Sequence, residues 1–245
     1  MNNGTAAWER CRRFFLFVTR ALSMTRCIAL LLGVLCLAVF VDTAGAQGDP
    51  REQYVPVLCV TRGENPTGSV IYLMVLFVMR DDAGGLDVHF ITGPGRFSKS
   101  TQAATVQAIA RTARALGLST NSWSVGLSVQ DPSIIEGDSL SAMVGLTVAA
   151  MAKGELIPRN RVITGTVTLD GQIGPVGGVA LKVLAARQAG LQMVLVPSTD
   201  ERKGSTPAFT QVFRVASVSQ AYEALTAPQR SIAGVLSRVS DQRRS

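Results

Sequence analysis

Histidine is almost absent from this chain: His89 is the one imidazole in 245 residues. A Ser-His-Asp triad must use it, yet it sits between Val88 and Phe90 in "LDVHFITG", an alternating stretch where a structural histidine is the simpler reading. Cysteine is nearly as scarce. Cys11, Cys27 and Cys36 fall within the first 46 residues, leaving Cys59 alone in the apolar "VPVLCVT". One cysteine cannot form an internal disulfide, so the fold must be held by its core, and Cys59 reads as a small buried hydrophobe. No group of His, Cys and carboxylates has metal-ligand spacing, which argues against a zinc site. No G-x-x-x-x-G-K-[ST] occurs either, which excludes a phosphate-cradling nucleotide loop in this sequence. Lysine is thin as well: beyond residue 46 there are only Lys99, Lys153, Lys182 and Lys203.

What is present first is grease. Residues 27–41, "CIALLLGVLCLAVFV", form an uninterrupted apolar run preceded by Arg20 and Arg26 and followed by Ala44-Gly45-Ala46. That order matches a secretory signal peptide with an A-x-A cleavage site, and the run is short for a span needing about 20 apolar residues. An uncleaved membrane anchor through residues 27–41 is the alternative. Translation from Met24 rather than Met1 fits the signal better, because "RRFFLFV" makes the first 23 residues an untidy extension. The expected location is exported, periplasmic or otherwise extracytoplasmic. The formal charge is +7, but residues 1–46 carry five Arg against two acidic residues, leaving +4 for the remainder. Arg230, Arg238, Arg243 and Arg244 hold much of that in a polar tail, so the charge does not indicate nucleic-acid binding.

The middle of the chain is regular. Residues 54–61 and 69–80 read as strands around the turn "RGENPTG", with a third strand over 86–93. Residues 100–117 carry Val106, Ile109, Ala110, Ala113 and Leu116 at helical spacing and stop at Gly117. A strand over 122–129, an apolar helix over 140–153, a strand over 161–169 and a glycine-rich turn over 170–178 follow. A helix over 179–190, strands near 192–197 and 211–216 and a helix over 219–225 complete the pattern. Strands alternating with helices imply one α+β (α/β-like) domain over 54–227, after a linker at 47–53 and before a basic tail at 228–245.

Two places invite chemistry. In "IIEGDSLSAMVGLTVAAMAKG", Asp138 or Ser139 can cap the apolar helix by accepting orphan backbone N–H bonds. That leaves Ser141 unexplained beside the free N–H groups and positive end of a helix, where an oxyanion could be stabilised. The second place is Lys182, whose neighbours on the helix face are Gly178, Val179, Ala185 and Ala186. A lysine on a buried stripe either snorkels its ammonium to water or becomes neutral. Neutrality near pH 7 means lowering its pKa from ~10.4, a cost of about 4 kcal/mol. A neutral lysine is a general base.

These residues carry a resemblance. The stretch from Ile134 to Pro197 resembles the proteolytic domain of the Lon family, peptidases that use a Ser-Lys dyad. The archaeal, membrane-bound branch has an E-G-D-S-A-S motif, matched by Glu136-Gly137-Asp138-Ser139-Leu140-Ser141. The family's T-G-x-[VIL]-[ST]-L-x-G strand and P-[VI]-G-G turn match Thr164 to Gly178, and "GGVALKVLAA" and "VLVP" match the helix and strand that follow. The resemblance implies a fold like domain 2 of ribosomal protein S5 and no cofactor. It sets the nucleophile on Ser141, the base on Lys182 and a lysine-orienting hydroxyl on Thr164. Asp138 either caps the helix or pairs with Lys182 and holds it protonated. The departures are Met143, bulky where the family has small residues, and the lack of an ATPase module in this sequence. The implied function is ATP-independent cleavage of peptides or unfolded segments. A ring of copies and a separate substrate-delivery partner are the possible assemblies, and a silent Lon-like scaffold or peptide-binding module is the alternative.

Overall fold

The computed structural model describes residues 51–199 and 210–228. The expected signal or anchor, the start of the linker, Lys203 and nearly all of the basic tail lie outside the described residues. Within them the chain is a mixed α/β domain. A four-stranded sheet has the order β1-β2-β5-β3, from β1 (Arg51–Val60), β2 (Gly68–Met79), β5 (Trp123–Val129) and β3 (Asp87–Ile91). β1, β2 and β5 are antiparallel neighbours, while β3 runs parallel to β5 at the edge. Alternation sends Val55, Val57, Leu73, Val75, Phe77, Val125, Leu127 and Val129 inward, where Phe77 meets Trp123 edge-on at 5.5 Å.

Helix α1 (Lys99–Ala115) begins at Ser98, whose side chain accepts the Thr101 N–H. Its buried stripe differs from the expected aliphatic one. Ile109 and Ala113 are inside as predicted, but Val106, Ala110 and Leu116 are only half-buried, and Thr101, Thr105, Ala108 and Thr112 take the core-facing places. Thr105 can be there because its hydroxyl donates to the Thr101 carbonyl at 2.7 Å, so the helix backbone satisfies it. The stripe packs on α2 (Ser141–Ala152), a helix with no polar face: every residue from Ser141 to Met151 is buried. Such a helix belongs at the centre of a domain.

A second sheet, β11-β10-β7, is wholly parallel: β7 (Arg161–Ile163), β10 (Met193–Pro197) and β11 (Gln211–Val215). Helix α3 (Val179–Gln188) lies between β7 and β10 in the chain, and α4 (Val218–Thr226) follows β11. Ser217 caps α4 by accepting the Gln220 N–H, and its far end is gripped by Arg161. That buried guanidinium donates from Nη1 to the carbonyls of Ala224, Leu225 and Ala227.

The predicted elements are present, with three differences. β1 begins at Arg51 and so takes in the end of the expected linker. The strand predicted over 161–169 is broken: β7 ends at Ile163, and β8 (Thr166–Val167) turns away to pair with β9 (Ile173–Gly174). The break falls at Thr164-Gly165: the Thr164 N–H still reaches the Leu195 carbonyl of β10, but both backbone groups of Gly165 are diverted to the start of α2. Finally, β4 (Arg96–Phe97) and β6 (Ile134–Ile135) form a small parallel pair that the sequence did not announce.

The α1–α2 contact depends on Gly145. A Cβ there would stand 2.5 Å from Thr112 Oγ1 and 3.0 Å from the Ala108 carbonyl oxygen. Gly145→Ala is therefore expected to destabilise the domain by about 1–3 kcal/mol through overpacking, despite alanine's better helix propensity. Urea unfolding of the two proteins measures it; a stabilised variant would mean that the helices can part at no cost.

Candidate active site

α2 dictates the site because it has no side on which to place a polar group. Ser141, its first residue, is accordingly drawn inside and is 2% exposed. The side-chain cap expected from Asp138 or Ser139 is not made. Leu140 occupies the N-cap position, and the orphan N–H groups of Ser141 and Ala142 go instead to the backbone carbonyls of Asp138 (2.9 Å) and Gly165 (3.2 Å). Gly165 in turn donates its N–H to the Ser139 carbonyl at 2.9 Å, and Thr164 Oγ1 donates to the same oxygen at 3.4 Å. The end of β7 is thus clamped along the turn that enters α2.

A groove of about 700 Å³ opens beside this turn. One wall is the end of β1 and the residues after it, from Leu58 to Arg62. The opposite wall is the segment from Ser133 to Leu140, and Gly177, Gly178 and Lys182 close the end. Ser139 and Asp138 line the groove, whereas Ser141 does not. Ser141, the expected nucleophile, is packed into the helix, and the half-buried Ser139, two residues earlier in the turn, is the serine that faces the groove together with Lys182. A periodicity argument could have found this. A serine that opens a helix apolar all round belongs to its core, so a serine facing the groove has to precede the helix. The N–H groups of Ser139 and Leu140 donate to no acceptor among the described residues. They lie at the positive end of α2, suitably placed for a developing oxyanion.

Lys182 is 3% exposed and does not snorkel. Its Nζ donates to Thr164 Oγ1 at 3.1 Å, a buried contact. Burial lowers its pKa below the usual lysine range, with attraction to Cys59 and Asp138 acting weakly the other way. Cys59 lines the groove, and burial raises its own thiol pKa. A thiol that stays protonated carries no charge, which leaves Asp138 as the anion opposing burial at neutral pH. Asp138 is exposed on the groove wall and makes no ion pair with Lys182, so neither of its two expected roles is realised; it acts on the amine only through space. Helix α3 can bring Lys182 here because β2 starts with Gly68, where a Cβ would be 2.1 Å from the Leu181 carbonyl oxygen. His89 stands elsewhere, on edge strand β3, with Nε2 2.7 Å from Asp87 Oδ2 and both side chains exposed.

The site is thus a serine and a buried lysine lining one cleft, with a buried threonine bonded to the lysine behind it. Residues 96–219, about half of the chain, match the Lon protease (S16) C-terminal proteolytic domain. The chain belongs to the Lon protease family. Among similar proteins, the peroxisomal Lon protease homolog 2 of Homo sapiens is 37% identical over 67 residues, 27% of this chain and 8% of that protein. The archaeal Lon protease of Archaeoglobus fulgidus is 38% identical over 63 residues, 26% of this chain and 10% of that protein. Lon protease 2 of Syntrophobacter fumaroxidans is 39% identical over 62 residues, 25% of this chain and 8% of that protein. The stretch shared with these relatives is thus a tenth or less of their length. The mixed α/β architecture is that of a single Lon proteolytic domain.

A buried amine with a lowered pKa makes stability depend on pH. Between the folded pKa and the usual value near 10.5, the unfolded chain binds a proton that the folded chain does not. Unfolding free energy therefore rises with pH across that window and levels off above it. Lys182→Met is expected to be more stable than the parent protein at pH 7, by a margin that shrinks as the pH approaches 10.5. Urea titrations at both pH values test this; a margin that does not change with pH would mean that Lys182 keeps its proton in the fold.

Proposed function

We propose that this protein is a serine endopeptidase in which Ser139 is the nucleophile and Lys182 the general base. The observation that carries the reading is that Ser139 and a buried, Thr164-bound Lys182 line one groove. Neutral Lys182 takes the proton as Ser139 Oγ attacks the peptide carbonyl, then delivers it to the departing amine. Water hydrolyses the resulting ester with the same lysine as base, which returns the serine. Thr164 orients the amine, the role the aspartate has in a Ser-His-Asp triad. The free N–H groups of Ser139 and Leu140 receive the oxyanion.

Each step uses a side chain or backbone N–H of this chain and no nucleotide. The substrates proposed are peptides and unfolded or accessible protein segments, cleaved without ATP. A ring of copies or a separate delivery partner is compatible with this chemistry. Export, with residues 27–41 as signal or anchor, is part of the same proposal and rests on the sequence of that segment.

Cleavage of an unfolded protein by the full chain, without ATP, is the test. Ser139→Ala is expected to abolish turnover, while Ser141→Ala, a small change at a buried position, should keep it. The reverse result would return the nucleophile to Ser141, and a folded parent protein that cleaves nothing would favour a scaffold or peptide-binding module. Lys182→Met should lower kcat by about 10²–10⁴-fold, and His89→Ala should leave it unchanged.

The pH profile gives an independent check. Activity should rise as Lys182 loses its proton, at a pH below the usual lysine range. Asp138 raises that pKa, so Asp138→Asn should move the rising limb to lower pH. A limb that stays put would show that Asp138 does not act on the base.

A further inference from the structure

We propose that Arg62 and Glu136 form a clasp across the mouth of the groove, one that controls how freely the interior is reached. The two residues stand on opposite walls: Arg62 follows β1, and Glu136 lies three residues before Ser139. Arg62 Nη1 is 2.6 Å from Glu136 Oε2, so the pair closes the gap between the walls. The tip from 61 to 67 is exposed throughout. Its own hydrogen bonds are internal: the Thr61 N–H donates to the Thr67 carbonyl at 2.8 Å, the Thr67 N–H to Thr61 Oγ1 at 2.9 Å, and the two hydroxyls are 3.0 Å apart. Among the described residues, the Arg62–Glu136 pair is the one polar contact joining this tip to the opposite wall.

The pair is built to open. Its side chains are 83% and 40% exposed, so water and salt screen the attraction. Exposed pairs of this kind bias an equilibrium by at most about fivefold, equivalent to about 1 kcal/mol. The clasp therefore adjusts access rather than blocking it, and anything that competes for either charge loosens it. Because Glu136 belongs to the segment that carries Ser139, closure also ties the tip to the nucleophile's turn.

The clasp matters for catalysis only if the groove is the peptide path, so it is best tested by a readout that does not need turnover. Cys59 lines the interior beside Lys182 and supplies one. The full chain is treated with iodoacetamide, and alkylation of Cys59 is followed by peptide mass mapping, which separates it from Cys11, Cys27 and Cys36. In parallel, cleavage of a short uncharged peptide is measured.

Arg62→Gln is expected to speed Cys59 alkylation and peptide cleavage about two- to fivefold. Salt at about 1 M, where the Debye length is ~3 Å, should produce the same rise in the parent protein and none in Arg62→Gln. The double variant Arg62→Glu with Glu136→Arg should restore the slower rates and their salt dependence. Equal alkylation rates in the parent and Arg62→Gln, or a double variant that behaves like Arg62→Gln, would overturn the clasp. If the Ser139–Lys182 chemistry is wrong, no variant cleaves the peptide, and alkylation still decides.

Discussion

The hydrogen bonds of Gly165 hold the site together. Its N–H reaches the Ser139 carbonyl and its carbonyl accepts the Ala142 N–H, so one residue joins the end of β7 to both sides of the turn into α2. Thr164, one residue earlier, extends the join to Lys182 through its hydroxyl. Three elements distant in sequence are thereby fixed to one another over a few ångströms. The parallel sheet sets where β7 ends, the central helix sets where the turn stands, and α3 brings the lysine in from behind.

This arrangement explains which features were legible in the sequence. Long periodic segments announced themselves, because burial on one face of a strand or helix leaves a pattern in the residues. Lys182 was legible for the same reason, as a charge on an otherwise small and apolar helical face. The two-residue strands β4, β6, β8 and β9 are too short to carry any alternation. The break at Thr164-Gly165 was hidden because its cause is a partner 25 residues away, Ser139, that no local pattern reveals.

The placement of the two serines was hidden for the same kind of reason. Ser139 and Ser141 flank Leu140, and local sequence makes either a plausible occupant of a helix mouth. What separates them is that α2 is buried all round, a property of the assembled domain that draws Ser141 inward and leaves Ser139 on the turn. The expected side-chain cap failed for a related reason: a strand end had already brought backbone partners to the helix mouth. Thr105 on the inner face of α1 shows a milder version, since its hydroxyl is satisfied by the helix's own Thr101 carbonyl and the side chain counts as apolar bulk in the core.

Arg161 fixes how short the chain can become. Its buried guanidinium has carbonyls of Ala224, Leu225 and Ala227 as acceptors, all at the far end of α4. Shortening the chain from its carboxyl end is harmless to this contact until Ala227 is reached. Beyond that point the loss of Ala227, then Leu225 and Ala224, strips acceptors from a charge that water cannot easily serve, and burying an unpaired charge is among the costliest defects a fold can hold. Trimming of the domain from its carboxyl end thus has a built-in stopping point. Behind it, further cuts undermine the parallel sheet on which the turn into α2 is hung.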